Sequence, residues 1–370
     1  EGERAGAETY RRNKIMAGAQ PYVFTSARPQ PGSAPKKPDA FTIDIHCHVH
    51  IPEAAELAQP YFKPEMEPGI LYANEMTRDI NMQQNIDRTP HLTTVDHRLI
   101  DMDKMGIDLQ TIIPPPFQAY YWLPDDVAMK ASEIVNNGLA EIVDDMPDRF
   151  VAFGNIPLQD VDMAVAELER GVKKLGLKGF QILTNVNGSE ISDPRLEPFW
   201  AKAQELDTLI FIHPNGFTSA ERFEDHYFNN VIGNPLETTV AVHRLIFDGV
   251  MERYPNLRIL LAHGGGYLPA YSGRIDHVWG AREDGRANLP KAPTSYLKKM
   301  WLDTVVFTPH QLKYLIEQYG TDKIVMGTDY PYDMGDYNPV ELVDLVDTLD
   351  STDKAAIWGG NAKSLLKMED

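Results

Sequence analysis

A closed (β/α)8 barrel is the architecture this chain should adopt. From residue 41 onward, eight short β-branched runs alternate with longer stretches of helical periodicity, the pattern of a parallel sheet with crossover helices. The GxGxxG turn that an open, doubly wound sheet would carry after its first strand is absent. Side chains able to hold a metal stand at the ends of several of these runs, where a barrel would gather them at one mouth.

The expected strands are 41–47, 107–113, 150–156, 178–183, 208–213, 257–262, 301–306 and 323–328. Helices are expected near 97–105, 124–147, 161–175, 195–206, 236–254, 266–280, 309–319 and 338–349. Asp160 and Asn338 stand where N-caps would, and Gly176 where a C-cap glycine would. The stretch between the first strand and helix 97–105 is too long for a plain connection. It leaves the C-terminal end of its strand, so it reads as a lid over residues 50–95, with short helices near 53–58 and 77–87. Residues 351–370 read as two short helices on the outside, with Gly359 and Gly360 between them. Residues 1–40 are polar, and the proline-rich stretch at 26–40 cannot continue a helix or a central strand. They are expected to form an extended arm ahead of a single barrel domain, 41–370.

Composition narrows the function. The 370 residues suffice for one large domain, and a net charge of −19 would repel nucleic-acid phosphates. No apolar run reaches the roughly 18 residues of a membrane span, so neither nucleic acid nor membrane is an expected partner. One cysteine excludes an intrachain disulfide framework and fits a reducing, cytoplasmic location.

The run FTIDIHCH at 41–48 is the starting point for chemistry. Residues two apart on a strand share a face, so His46 and His48 project together with Asp44 below them. His213 ends the fifth strand in FIHPNGF, His263 the sixth in LLAHGGGY, and Asp329 the eighth in VMGTDYPYD. The expected metal ligands are His46, His48, His213 and Asp329, with His263 near enough to touch a metal-bound water. Three imidazoles and a carboxylate suit one divalent ion, zinc first and manganese as the other option. The aromatic run PPPFQAYYW at 114–122 offers flat surface from Phe117, Tyr120, Tyr121 and Trp122 for a ring or conjugated acid. Phe117 and Tyr121 are its candidate substrate contacts, and Tyr332, just after the eighth strand, is a third.

The stretches IDIHCHVH, HRLIDMDKMGID, NIPLQDVDMA, FIHPNGF, LLAHGGGYLPAYSGRIDH and MGTDYPYDMGD resemble the amidohydrolase superfamily. Within it they are most similar to the aminocarboxymuconate-semialdehyde decarboxylase branch, from residue 43 to about 336. That resemblance implies a single metal, since the fourth strand ends in QILTN and offers no bridging lysine. It also implies a non-oxidative decarboxylase of an aromatic or muconate-semialdehyde-type acid. His263 would act as acid/base, Asp329 as ligand and proton shuttle, and the reaction would run through a metal-bound water or a substrate oxygen. Arg274, in SGRIDH, resembles the family's substrate-carboxylate arginine, which can reach in from a neighbouring subunit, so a homodimer is implied. Arg88 is the counterpart of a second arginine in the first-strand loop, whereas Arg98 reads as structural. The chain departs from the branch at Asn215, where the decarboxylase has tryptophan, and in its arm and lid. The other readings are a hydrolase or hydratase of the same fold, using a metal hydroxide on a C–C, amide or lactone substrate, and a non-catalytic binding protein.

Overall fold

The computed structural model describes residues 37–286 and 289–368. The expected arm therefore lies, up to residue 36, outside the described residues. The sheet runs β1 Ile43–His48, β2 Leu109–Ile113, β3 Phe150–Asn155, β4 Gly179–Leu183, β5 Leu209–His213, β6 Arg258–Leu261, β7 Trp301–Asp303 and β8 Ile324–Val325. Each strand pairs in parallel with the next in sequence. β8 returns to β1 through Ile45 N to Met326 O at 2.9 Å, His48 N to Tyr330 O at 2.7 Å and a parallel bridge between Cys47 and Tyr330. The expected (β/α)8 barrel is thus the observed one.

Local chemistry sets the boundaries. Helix Val161–Leu175 is capped by the Asp160 carboxylate, which accepts from Met163 N, and ends at Gly176 with φ 67°, the left-handed conformation glycine adopts without a Cβ clash. Asn338 precedes helix Pro339–Asp344 but makes no capping bond there; its amide donates to the Glu341 carboxylate instead. The helix expected at 236–254 is two, Asn234–Phe247 and Val250–Arg253, parted by Gly249 at φ 80°. The helix expected from 266 starts only at Gly273, because Gly264, Gly265 and Gly266 all take positive φ. β7 is shorter than expected and stops at Asp303, whose Oδ1 turns back to accept from Val305 N at 3.1 Å.

The lid is more helical than expected. Helix Pro52–Ala58 is followed by short turns and then by a long helix, Glu75–Thr93, which passes through Pro90 and carries Arg88. Asn74 caps that helix and also donates to Asp225. Asn229 donates to Pro68 O, so the lid is tied to the loop after β5. The C-terminal helices Ser351–Ala355 and Asn361–Leu365 are joined by a wide turn rather than parted by a break. They pack at the seam between β1 and β8, where Ile357 O accepts from Met326 N and Gly359 lies against the Phe41 carbonyl. Among the described residues no helix is long and apolar enough to cross a membrane.

Arg98 fastens the lid's far end to the barrel. It lies in the first turn of helix Val95–Met105, is 2 % exposed, and donates to Gln110 Oε1 at 2.9 Å, to His91 O at 3.2 Å and to His48 O. Its guanidinium lies 4.9 Å from the centre of the Tyr330 ring. Arg98→Met would fill the space but strand those acceptors. It should cost roughly 2–4 kcal/mol, read as a fall in the denaturation midpoint.

Candidate metal centre and cavity

His46 and His48 at the end of β1, His213 at the end of β5 and Asp329 just beyond β8 meet at the C-terminal mouth of the barrel. Their ligand atoms all lie within 4.8 Å of one another, and all four residues are buried. β1 contains a register shift between Asp44 and Cys47, yet the two histidine rings still converge, 5.2 Å apart and nearly perpendicular. Asp44 stays out of the cluster. Its carboxylate accepts from His46 N, Thr328 N, Thr328 Oγ1 and Gln110 Nε2, and burial pushes its pKa up to about 6.

The inner nitrogens of the three rings are all committed. His46 Nδ1 meets Asp303 Oδ2 at 2.7 Å, His48 Nδ1 meets Pro114 O at 3.2 Å, and His213 Nδ1 meets Pro214 O at 2.7 Å. Giving an Nδ1–H to an oxygen leaves the lone pair on Nε2, which is how ligating imidazoles are oriented. His46 Nε2 and His213 Nε2 are buried and make no hydrogen bond. Asp329 Oδ1 lies 3.0 Å from His48 Nε2 and 3.3 Å from His46 Nε2. Buried nitrogen lone pairs converging on a carboxylate are the donor set a divalent ion completes, so these residues fit one divalent metal. Burial disfavours a charged His46, but Asp329 and Asp303 beside it push its pKa up to about 10. Burial holds His213 well below the ordinary imidazole value and also lowers His48. Asp329 is buried too, yet the His46 charge and hydrogen bonds from the neighbouring imidazoles keep its carboxyl well below the usual range.

His263 stands beside this set and is not part of it. Its Nε2 is 3.3 Å from Asp329 Oδ2, and its ring centre is 5.0 Å from that of His213. It takes φ 55°, and Asp329 takes φ 60°. Such left-handed backbone costs a residue with a Cβ roughly 1–3 kcal/mol. Asp303, which the sequence reading passed over, holds the turn in place: its Oδ2 accepts from His263 N at 3.0 Å and its Oδ1 from Gly264 N at 2.8 Å. One buried carboxylate therefore orients both a ligand and the neighbouring histidine. The only sequence signal was an aspartate in an otherwise apolar strand, WLD.

A cavity of about 460 Å³ opens from this mouth under the lid. Phe117, Tyr332 and Arg88 line it, together with His213 and Asp329. The Arg88 guanidinium lies 4.9 Å from the Tyr332 ring centre and 3.8 Å from Asp333. One expectation fails. Tyr121 is buried away from the cavity, its hydroxyl accepting from Leu183 N at 3.3 Å. Tyr120 sits in a left-handed turn, φ 51°, so Tyr120 and Trp122 face the cavity in its place. Arg274 is exposed on helix Gly273–Ala281 and does not line the cavity of its own chain. The sequence reading missed Glu67 from the lid and Tyr227 from the loop after β5, both in the wall.

Comparison with known proteins agrees with this geometry. A family described as Amidohydrolase matches residues 43–368. A 2-amino-3-carboxymuconate-6-semialdehyde decarboxylase of Dictyostelium discoideum is 34 % identical over 275 residues, 74 % of this chain and 77 % of that protein. A gamma-resorcylate decarboxylase of Polaromonas sp. is 30 % identical over 301 residues, 76 % of this chain and 90 % of that one. The crystal structure of 5-carboxyvanillate decarboxylase from Sphingomonas paucimobilis superposes with a TM-score of 0.81 at 24 % identity, covering 90 % of this chain and all of that one.

Asp303→Asn would keep the side chain's shape and weaken its hold on His46. Metal affinity, measured by competition with a chromophoric chelator, should fall about 10–100-fold, with the circular dichroism spectrum unchanged.

Proposed function

The chain belongs to the amidohydrolase family, and we propose that it is a metal-dependent, non-oxidative decarboxylase of an aromatic or muconate-type carboxylic acid. One observation carries the reading. A three-imidazole, one-carboxylate set reaches a cavity walled by aromatic rings through His213 and Asp329, and a further histidine stands next to the set without joining it. The two decarboxylases aligned over three quarters of the chain support the same reaction class.

His46, His48, His213 and Asp329 would hold one divalent ion, zinc first, with manganese also suited to this N3O set. When bound, it supplies Lewis acidity toward a substrate oxygen. The remaining work falls to side chains. Arg88 is the only cation among the residues lining the cavity, and its planar fork suits a carboxylate. Phe117 and Trp122 present flat faces for a ring. As the bond to the leaving carboxylate breaks, its electron pair stays on the substrate carbon, and that carbon must take up a proton. We assign that delivery to His263, whose Nε2 lies 3.3 Å from Asp329 Oδ2. Asp329 then serves both as ligand and as the acceptor that steadies the His263 proton. We assign Arg274 to a homodimer, in which its exposed position would let it reach a neighbouring copy's cavity. The cytoplasm is the proposed location.

Metal-loaded protein incubated with candidate acids, without oxygen or nicotinamide, should release carbon dioxide. A product that has gained water instead would favour hydration or hydrolysis and sink the decarboxylase reading. His263→Ala should keep its metal and lose turnover by roughly 10²–10⁴-fold, whereas His213→Ala should lose the metal as well, read by elemental analysis. That analysis also decides between zinc and manganese.

A further inference from the structure

Three carboxylates line the cavity, and two have an evident role. Asp329 belongs to the metal set, and Asp333 lies 3.8 Å from Arg88. Glu67 has no cationic partner among the described residues. It follows the lid turn Pro64–Met66, is 8 % exposed and forms part of the wall. Its Oε1 accepts from Trp122 Nε1 at 3.0 Å, and its Oε2 from Asn215 Nδ2 at 2.8 Å. Both donors are neutral, and they reach it from different loops, one after β2 and one after β5. Phe62 and Ile70 make the nearby wall apolar.

A carboxylate buried without a cation keeps much of its desolvation cost, and burial raises the Glu67 carboxyl above its usual value. The two donors fix the plane of the group. An ionised carboxylate has about four acceptor positions, so a wall residue with two of them filled still has capacity for an occupant. Such an occupant must bring an N–H or O–H. A second acid group there would meet like charge, and an ether oxygen would leave acceptor facing acceptor.

We propose that Glu67 is a specificity residue, accepting a hydrogen bond from a hydroxyl or amino group on the part of the substrate that lies under the lid. This deepens the decarboxylase reading and rests on it for the other end of the molecule, where the metal set and Arg88 take the reacting acid. The class selected is an aromatic or muconate-type acid that carries a hydroxyl or amino donor on the part under the lid. Methyl ethers of that donor, and analogues with an acid group in its place, are disfavoured. Asn215 has a part in this, because it holds the carboxylate that sets the preference.

The test uses the full chain loaded with zinc or manganese, as wild type, Glu67→Gln and Glu67→Asp. The ligands are benzoic acids that differ at one ring position: hydroxyl or amino, methoxy, and carboxylate. Kd is measured by calorimetry, and carbon dioxide release is followed separately. Wild type should bind the donor-bearing acids at least about tenfold more tightly than their methoxy and carboxylate counterparts. Glu67→Gln, whose amide can itself donate, should narrow that ratio to within about threefold, and Glu67→Asp should keep its direction. The same ranking in wild type and Glu67→Gln, at matched metal content and melting temperature, overturns the assignment. So does a wild type that binds hydroxy and methoxy acids alike, a result that needs no variant to fold. Selective binding without any carbon dioxide would leave Glu67 its role and remove the decarboxylase reading instead.

Discussion

The seam between β1 and β8 is the constraint on which the site depends. The first strand supplies two ligands, and the segment after the last strand supplies the carboxylate. These become neighbours only when the ring closes. Backbone bonds fix the closure at the ligands themselves: Asp329 N donates to His46 O at 2.7 Å, and His48 N donates to Tyr330 O at 2.7 Å. Asp44 locks the same joint from within by accepting from both the amide and the hydroxyl of Thr328. An error of one residue in that pairing would turn the ligand side chains to the wrong face. The register of the seam and the geometry of the metal set are therefore one structural fact.

The seam alone would not orient the imidazoles. That task falls on acceptors behind them, and Asp303 is the most heavily used. It meets His46 Nδ1 and the amides of His263 and Gly264, so it couples β1 to the turn after β6 through one buried group. This sharing explains why a left-handed residue with a full side chain is sustained at position 263. The turn's amides have a strong acceptor only in that conformation, and the hydrogen bonds offset the strain. A charge at Asp303 is in turn tolerable in the interior because burial, which would raise its pKa, is outweighed first by the His46 hydrogen bond.

Much of this was legible in the sequence, for physical reasons. Strand positions followed from β-branched runs. The ligands followed from strand ends, because a barrel brings all such ends to one mouth whatever their separation along the chain. What escaped were contacts that depend on local backbone or on distant side chains. Tyr121 reads as a wall residue until the positive φ of Tyr120 rotates the run and exchanges it for its neighbours. Asp303 looks like an ordinary strand residue until its four donors are seen. Glu67 finds its partners 55 and 148 positions away, and nothing in the lid's composition announces either. Arg274 came from family resemblance, and a single chain gives it no role at its own cavity.

The metal set and the far wall of the cavity belong to different parts of the molecule. The metal set and His263 stand at strand ends or in the turns directly after them, within a hydrogen-bonded ring that tolerates little displacement. The wall opposite is lid, attached to the loops after β2 and β5 by a few side-chain bonds: Asn74 to Asp225, Asn229 to Pro68, and Trp122 and Asn215 to Glu67. Each of these can change without disturbing the seam, since none involves the barrel's backbone ladder. The departure at Asn215 sits at the junction of the two systems, two residues beyond the ligand His213. There a side chain too small to fill the cavity holds a lid carboxylate instead. A change of residue at that point would alter the wall of the cavity, while His213, anchored by its own bond to Pro214 O, would keep its place in the metal set.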